Sequence, residues 1–245
     1  MEDTVYEALL RHFQGIKFRE RNAGQSIDAH MKDEGFNVEI NVDTNTGFVY
    51  GGNRFNCGTW MDKMGSSEKA GNKGLPATPR DGADVEIVGL SFAVLKFLDC
   101  SYKLGVFRYD AVANSSGLRW TWSQWQAAIK NNFESYFWVD EDDQNELIHR
   151  RSIYKDVVGS SLAYSDFQLR PNFVIAMAVA DELFTTNRAL KALEKFRQLL
   201  LGPLGAVTLD PADWNYNGIY DNSNDSSDMK VAHGWNYHNG PVLFV

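Results

Sequence analysis

The stretch from Gly47 to Gly89 constrains this chain more than any other. It reads GFVYGGNRFNCGTWMDKMGSSEKAGNKGLPATPRDGADVEIVG, glycine-rich, with two prolines, two arginines, one cysteine, Trp60 and the carboxylates Asp62, Asp81 and Glu86. Ordering a long glycine-rich loop costs more backbone entropy than ordering most sequences. A loop that also concentrates Trp, Arg and Asp therefore reads as a binding loop on a rigid scaffold. Trp60 is expected to be buried in it. The rest of the chain must supply the scaffold.

That scaffold reads as helical. Val5, Leu9, His12 and Phe13 share one face of a helix from Glu2 to Phe13 that Gly15 ends. From Ala83 to Cys100, Val85, Val88, Phe92, Leu95 and Leu98 recur at three- and four-residue spacing, and Ile87, Leu90, Val94 and Phe97 widen the face, which predicts a long and largely buried helix. Trp122, Trp125, Ile129, Phe133 and Phe137 repeat the pattern, with Thr121 or Ser123 as N-cap. Pro171 at the first helical position opens a helix through FVIAMAVA, apolar all round and therefore expected inside the fold. Thr186 or Asn187 caps a last helix with the stripe Ala189, Leu193, Phe196, Leu200, stopped by Gly202-Pro203. Alternation in Phe36–Val42, turn residues from Asp43 to Gly47 and then Phe48-Val-Tyr predict one short hairpin. No strand series alternates with the helices as a βαβ fold requires. The fold class is mainly α, an (α/α)6 toroid with a short β-hairpin in its loops, although periodicity alone fits an irregular helical domain equally well.

Composition narrows the function. The 245 residues hold 24 Lys and Arg against 32 Asp and Glu, a net charge of −8, with no basic stripe to neutralise phosphates, so no nucleic acid is expected as partner. The longest apolar run, Phe173 to Ala180, is far short of the ~20 residues of a membrane span, and the acidic N-terminus is unlike a secretory signal. These features predict a cytoplasmic protein with no membrane partner. Cys57 and Cys100 have neither CxxC nor Cys/His spacing, the five histidines lack HxxxH spacing, and Asp221–Asp225 lacks the central glycine and bidentate Glu of a calcium loop. No metal and no cofactor are expected. No GxSxG elbow, Walker loop or strand-borne GxGxxG is present.

What remains is carboxylates among aromatic, arginine and amide side chains. Trp60, Trp214, Trp235, Tyr50, Tyr216, Tyr220 and Tyr237 fall in loop-like segments beside Asn53, Arg54, Asn56, Asp62, Arg80, Asn172, Asp221 and Asn236. Aromatic faces stack on the C–H faces of a pyranose, and amide or charged groups bond its hydroxyls. Hydrolysis of a glycoside needs two carboxyl groups, one a general acid and one that activates water or attacks directly. Any single Asp here is more often a cap or an ion-pair partner than a catalytic acid.

At GGNRFNCGTWMDKMG, followed by LPATPRDGADVEIVGL, the chain resembles the amylo-1,6-glucosidase part of eukaryotic glycogen debranching enzymes. The likeness continues through HFQGIKFRERNAG, MKDEGFN, QLRPNFVIAM, ELFTTNRALKALE, LLGPLG, TLDPAD, GIYDNSN and GWNYHNGP. It implies one partial glucosidase domain over residues 1–245, six-hairpin in type. It also implies an inverting hydrolase acting on the α-1,6-linked glucose of glycogen or a branched limit dextrin, with a 4-alpha-glucanotransferase region elsewhere on the same polypeptide. Carried onto Thr59-Trp60-Met61-Asp62, it makes Asp62 the general acid in preference to Asp81. Trp60, Met61 and Met64 are then expected to desolvate the Asp62 carboxyl. Trp60, Asn53, Arg54, Arg80, Glu86, Arg170, Asn172, Tyr237 and His238 are expected to bind glucose or hold the site in place, with Met31–Gly35 as further candidates.

The family's base is a Glu well downstream of NYHxGP, and the sequence ends at Val245 before such a segment. The chain by itself is therefore expected to be an inactive, truncated piece. The alternative is a glycogen-binding or assembly fragment that does no catalysis.

Overall fold

The computed structural model describes residues 2–240 and the backbone of residues 243–244. Among these, five α-helices form: α1 (Glu2–Gln14), α2 (Val85–Lys103), α3 (Trp122–Phe137), α4 (Asn172–Val179) and α5 (Thr186–Leu199). Between them run short strands: β1 (Ile16–Arg19), β2 (Asn37–Val42), β3 (Val49–Gly51), β4 (Ala83–Asp84), β5 (Ala111–Ala113), β6 (Arg119–Thr121), β7 (Trp138–Val139), β8 (Ile153–Tyr154), β9 (Val157–Val158), β10 (Leu201–Gly202), β11 (Gly205–Val207) and β12 (Leu243–Phe244). The architecture is helix-rich with small sheets, compatible with a mainly α glycosidase domain. No described helix is long and apolar enough to cross a membrane.

The core forms where α2 packs against α3 and α4. Trp122, Trp125, Ile129, Phe133 and Phe137 lie on one stripe of α3 and are wholly buried, in one cluster with Val88, Phe92, Leu95 and Leu98 of α2. Each such side chain contributes about 1.5–3 kcal/mol by leaving water. Thr121 is the N-cap of α3, accepting from the Gln124 amide at 3.2 Å while the Gln124 side chain accepts from the Thr121 amide at 2.9 Å. That reciprocal pair satisfies two otherwise orphaned donors. The Trp125 indole donates to the Gly47 carbonyl at 2.7 Å, which ties the core helix to the start of the glycine-rich stretch. A Cβ at Gly47 would lie 3.0 Å from both the Ala128 Cβ and the Ile129 nitrogen, and its φ of +80° already favours glycine.

The predicted hairpin is β2–β3, antiparallel with Asn41 opposite Tyr50, and β1 extends it to three strands. The other strands are a departure from the sequence reading. Pairs of two or three residues, such as β4–β9 and β7–β8, pin loop to loop. Ladders this short carry no period that a sequence pattern can reveal.

Two helices are less buried than their composition predicts. Only Asn172, Phe173 and Ala176 of α4 are buried; Val174 and Met177 are half-buried against the core, and Ala178 and Val179 are exposed. On α2, Leu90, Val94 and Phe97 form an exposed stripe, with Phe97 68% exposed. Helix ends also shift: Pro171 stands one residue before α4, and Thr185, not Thr186 or Asn187, precedes α5 without a side-chain cap bond.

Candidate active site

Between β3 and β4 the chain forms one long loop whose neck is closed by paired bonds, Gly51 N–H to the Gly82 carbonyl (3.0 Å) and Gly82 N–H to the Gly51 carbonyl (2.9 Å). Side-chain amides replace regular structure inside it. Asn56 donates to the Gly35 carbonyl, Asn72 to Met229 and Asn239 to Ala77, while the Trp235 indole donates to Leu75 at 2.8 Å. The C-terminal loops thus pack on the glycine-rich loop and close a cavity against it.

That cavity, of about 470 Å³, is lined by Trp60, Asp62, Lys63, Met64, Tyr220, Tyr237 and His238. Four of these are aromatic rings in a chain of edge contacts. Trp60 meets His238 at 5.7 Å and 87°, His238 meets Tyr237 at 4.7 Å and 87°, and Tyr237 meets Tyr220 at 5.4 Å and 66°. Asp62 is the one carboxylate among the lining residues. Lys63 reaches to the Asn222 side-chain oxygen at 3.2 Å. Burial, followed by the charges of Arg170, Arg80 and Lys63, lowers His238 to about 4, so its ring is neutral near pH 7. Its Nδ1 is buried with no partner among the described residues. A lone pair there costs less than a buried N–H, so the ring proton belongs on Nε2.

Behind this cup lies a buried charge network. Arg80 has a φ of 46°, a left-handed conformation that costs a bulky residue on the order of 1–2 kcal/mol. Its guanidinium donates to Glu86 through both terminal nitrogens (2.5 and 2.6 Å) and to Asp156 through Nε (2.7 Å) and Nη2 (3.1 Å). Glu86 also accepts from the Trp60 indole (3.1 Å) and from Asn172 (3.2 Å). Arg170 lies 3.5 Å from Asp156 and donates to the carbonyls of His238 (2.7 Å) and Thr208 (2.9 Å) and to the Asn239 side-chain oxygen (2.7 Å). Asp84, 3.3 Å from Arg80, is a third acid against two guanidiniums, with Oδ1 lacking a hydrogen bond among the described residues. Burial holds its carboxyl well above the usual carboxylate range.

The structure therefore separates the sequence candidates. Trp60, Asp62, Tyr237 and His238 come together in one cavity. Arg80, Glu86, Arg170 and Asn172 are buried behind it, paired with each other and with backbone. Asn53 and Arg54 lie outside it: Asn53 caps a turn through the Phe55 amide and lines a separate groove, and Arg54 stacks on the Phe55 ring at 4.7 Å. In Met31–Gly35, Asp33 holds Arg19 and the Gln25 amide, and Gly35 receives Asn56, so this segment braces the loop from outside.

Two expectations are corrected. Trp60 is 38% exposed rather than buried, because its indole N–H is turned to Glu86 while the ring forms a cavity wall. Asp62 is exposed and not desolvated by its neighbours, since Met61 points into the core against Arg170. Lys63 and Asp156 carry no sequence signal. Lys63 is brought in by its place beside Asp62, and Asp156 by the β8–β9 turn.

An exposed acid in an aromatic cup offers ring faces that can stack on a sugar and a carboxyl group that can bond its hydroxyls. The comparison with known families agrees: residues 1–244 match the amylo-alpha-1,6-glucosidase family, and the chain belongs to that family of glycosidases. It is 47% identical over 250 residues to the glycogen debranching enzyme of Saccharomyces cerevisiae, covering 98% of this chain and 16% of that protein. The chain thus spans about a sixth of its relative's length.

Proposed function

We propose that this chain is the acid-bearing portion of an inverting amylo-1,6-glucosidase site, within an (α/α)6 toroid, that removes α-1,6-linked glucose from glycogen or a branched limit dextrin. The observation that carries the reading is the sorting of three carboxylates. Asp81 is buried and accepts from Ser160 and from the Ser161 amide, and Glu86 is bound by Arg80, Trp60 and Asn172. Asp62 alone of the three opens to the cavity. In the reaction, Asp62 protonates the leaving oxygen as the glycosidic bond breaks, while a water deprotonated by a second carboxylate attacks the opposite face of the sugar. Trp60 and Tyr237 supply faces for the pyranose ring, and His238 Nε2–H donates to a sugar oxygen.

An inverting pair stands roughly 6.5–9.5 Å apart, and no second acid lines the cavity among the described residues. On this reading the base is contributed by a longer polypeptide, in keeping with the sixth of its relative's length that the chain spans. The test is glucose release from a branched limit dextrin. The isolated chain is expected to release none, and the same region within its longer polypeptide to lose release on Asp62→Asn. Release by the isolated chain would overturn the assignment of the base.

The aromatic cup favours one second reading, glucan binding without turnover. In that case binding survives Asp62→Asn but falls with Trp60→Ala, and no longer polypeptide containing the region releases glucose.

A further inference from the structure

Two walls of the Asp62 cavity come from segments far apart in sequence, Trp60 from the glycine-rich loop and His238 from the C-terminal loops. Neither belongs to a long regular element. Trp60 lies outside helix and strand, and His238 sits in a three-residue 3₁₀ turn, Tyr237–Asn239. A sugar-binding cup needs its walls held to a fraction of an ångström. Something must join them.

We propose that Asp156, which lines no part of the cavity, is the positioning residue that locks its two walls together. On one side it accepts from Arg80 at 2.7 and 3.1 Å, and Arg80 passes through Glu86 to the Trp60 indole. On the other it faces Arg170 at 3.5 Å, and Arg170 grips the His238 carbonyl and the Asn239 side chain. The Asn239 amide in turn donates to Ala77 at 3.1 Å, closing the circuit back onto the glycine-rich loop. Asp156 itself is anchored by backbone. Its amide donates to the Asp166 carbonyl and its carbonyl accepts from Val85, the first residue of α2, both at 3.1 Å.

Stability alone is a weak reason for this arrangement. A buried ion pair often does no better than well-packed apolar residues of the same volume, because both charges must be desolvated. Planar guanidiniums bonded by several atoms do fix geometry, and a left-handed Arg80 persists only where its surroundings over-determine it. The proposal rests on reading the Asp62 cavity as a sugar site.

The test measures two things on the whole 245-residue chain. Calorimetry follows binding of 1-deoxynojirimycin, a glucose-shaped iminosugar. Nitrogen–proton spectra follow the Trp60 indole resonance, assigned with Trp60→Phe. Asp156→Asn is expected to shift and broaden that resonance, and to weaken binding roughly ten- to a hundredfold at temperatures well below its melt. In a Trp60→Ala/His238→Ala background the same substitution should cost less than about twofold, since it acts through those residues.

An unmoved indole resonance with unchanged affinity overturns the proposal, as does an equal loss in the double-variant background, which marks a purely structural role. Should Asp156→Asn lack a cooperative melt, Asp156→Glu takes its place: it keeps the charge but moves the carboxylate by one methylene, away from the positions that hold Arg80 and Arg170. A displaced resonance then supports the circuit, and an unmoved one overturns it. If the parent chain binds no iminosugar, the sugar reading fails, and the indole resonance still decides whether Asp156 holds Trp60.

Discussion

At the scale of single residues, burial decides which acid does what. Asp84 keeps its proton in the folded chain at pH values where the unfolded carboxyl, near its ordinary 3.8, has released it. Its stabilising contribution is full below that value and is lost as pH rises toward the raised folded value. Asp84→Asn removes the titration. Thermal melts of parent and variant should converge near pH 4 and separate in favour of the variant as pH rises, by up to about 1.4 kcal/mol per pH unit.

His238 has the opposite sign. Its folded value of about 4 lies below the ordinary 6.5, so stability is intact above 6.5 and falls away as pH drops toward 4. His238→Gln should flatten that acid limb in a pH series of melts, a difference of roughly 3 kcal/mol at its largest. The family resemblance at TWMD singled out Asp62, whereas the burial of Asp81 and Glu86 was not visible in the sequence. All three stand in the same polar, glycine-rich context, and only their partners from Ser160, Ser161 and Arg80 distinguish them.

At the scale of elements, periodicity located every described α-helix to within a few residues, because each has a stripe that must face a core. It did not show how closely those helices approach. Gly89 on α2 sits against α4, and an added Cβ would lie 2.7 Å from both Ala176 Cα and Cβ. Ala is favoured over Gly inside a helix by about 1 kcal/mol, but overpacking against backbone costs about 1–3 kcal/mol. Gly89→Ala should therefore lower stability by about 1 kcal/mol, read from the urea midpoint at constant slope.

The apolar FVIAMAVA run shows the limit of hydrophobicity read alone. It predicts a helix buried on all sides, yet what buries a face is a neighbouring element. The C-terminal end of α4 and the Leu90–Val94–Phe97 stripe are left partly exposed.

At the scale of the whole molecule, that stripe sets how the chain behaves in solution. Exposed apolar residues in a row favour association. Phe97→Ser with Leu90→Gln should leave the melting temperature within a few degrees of the parent and reduce light scattering at high concentration. An unchanged scattering with a large drop in melting temperature would mean that the stripe packs against something in the folded chain.

The aromatic core, the helices and the hairpin follow from sequence, because each is encoded by local spacing. The composition of the glycine-rich stretch marked it as a loop costly to order, and four of its residues, Trp60, Asp62, Lys63 and Met64, line a cavity. Tertiary structure alone decided that Trp60 is a cavity wall, that Arg80, Glu86 and Arg170 stand behind the cavity, and that Asp156 joins them. Those roles depend on burial and on contacts between residues far apart in the chain, such as Met61 and Arg170, 109 positions apart, and no local pattern specifies either.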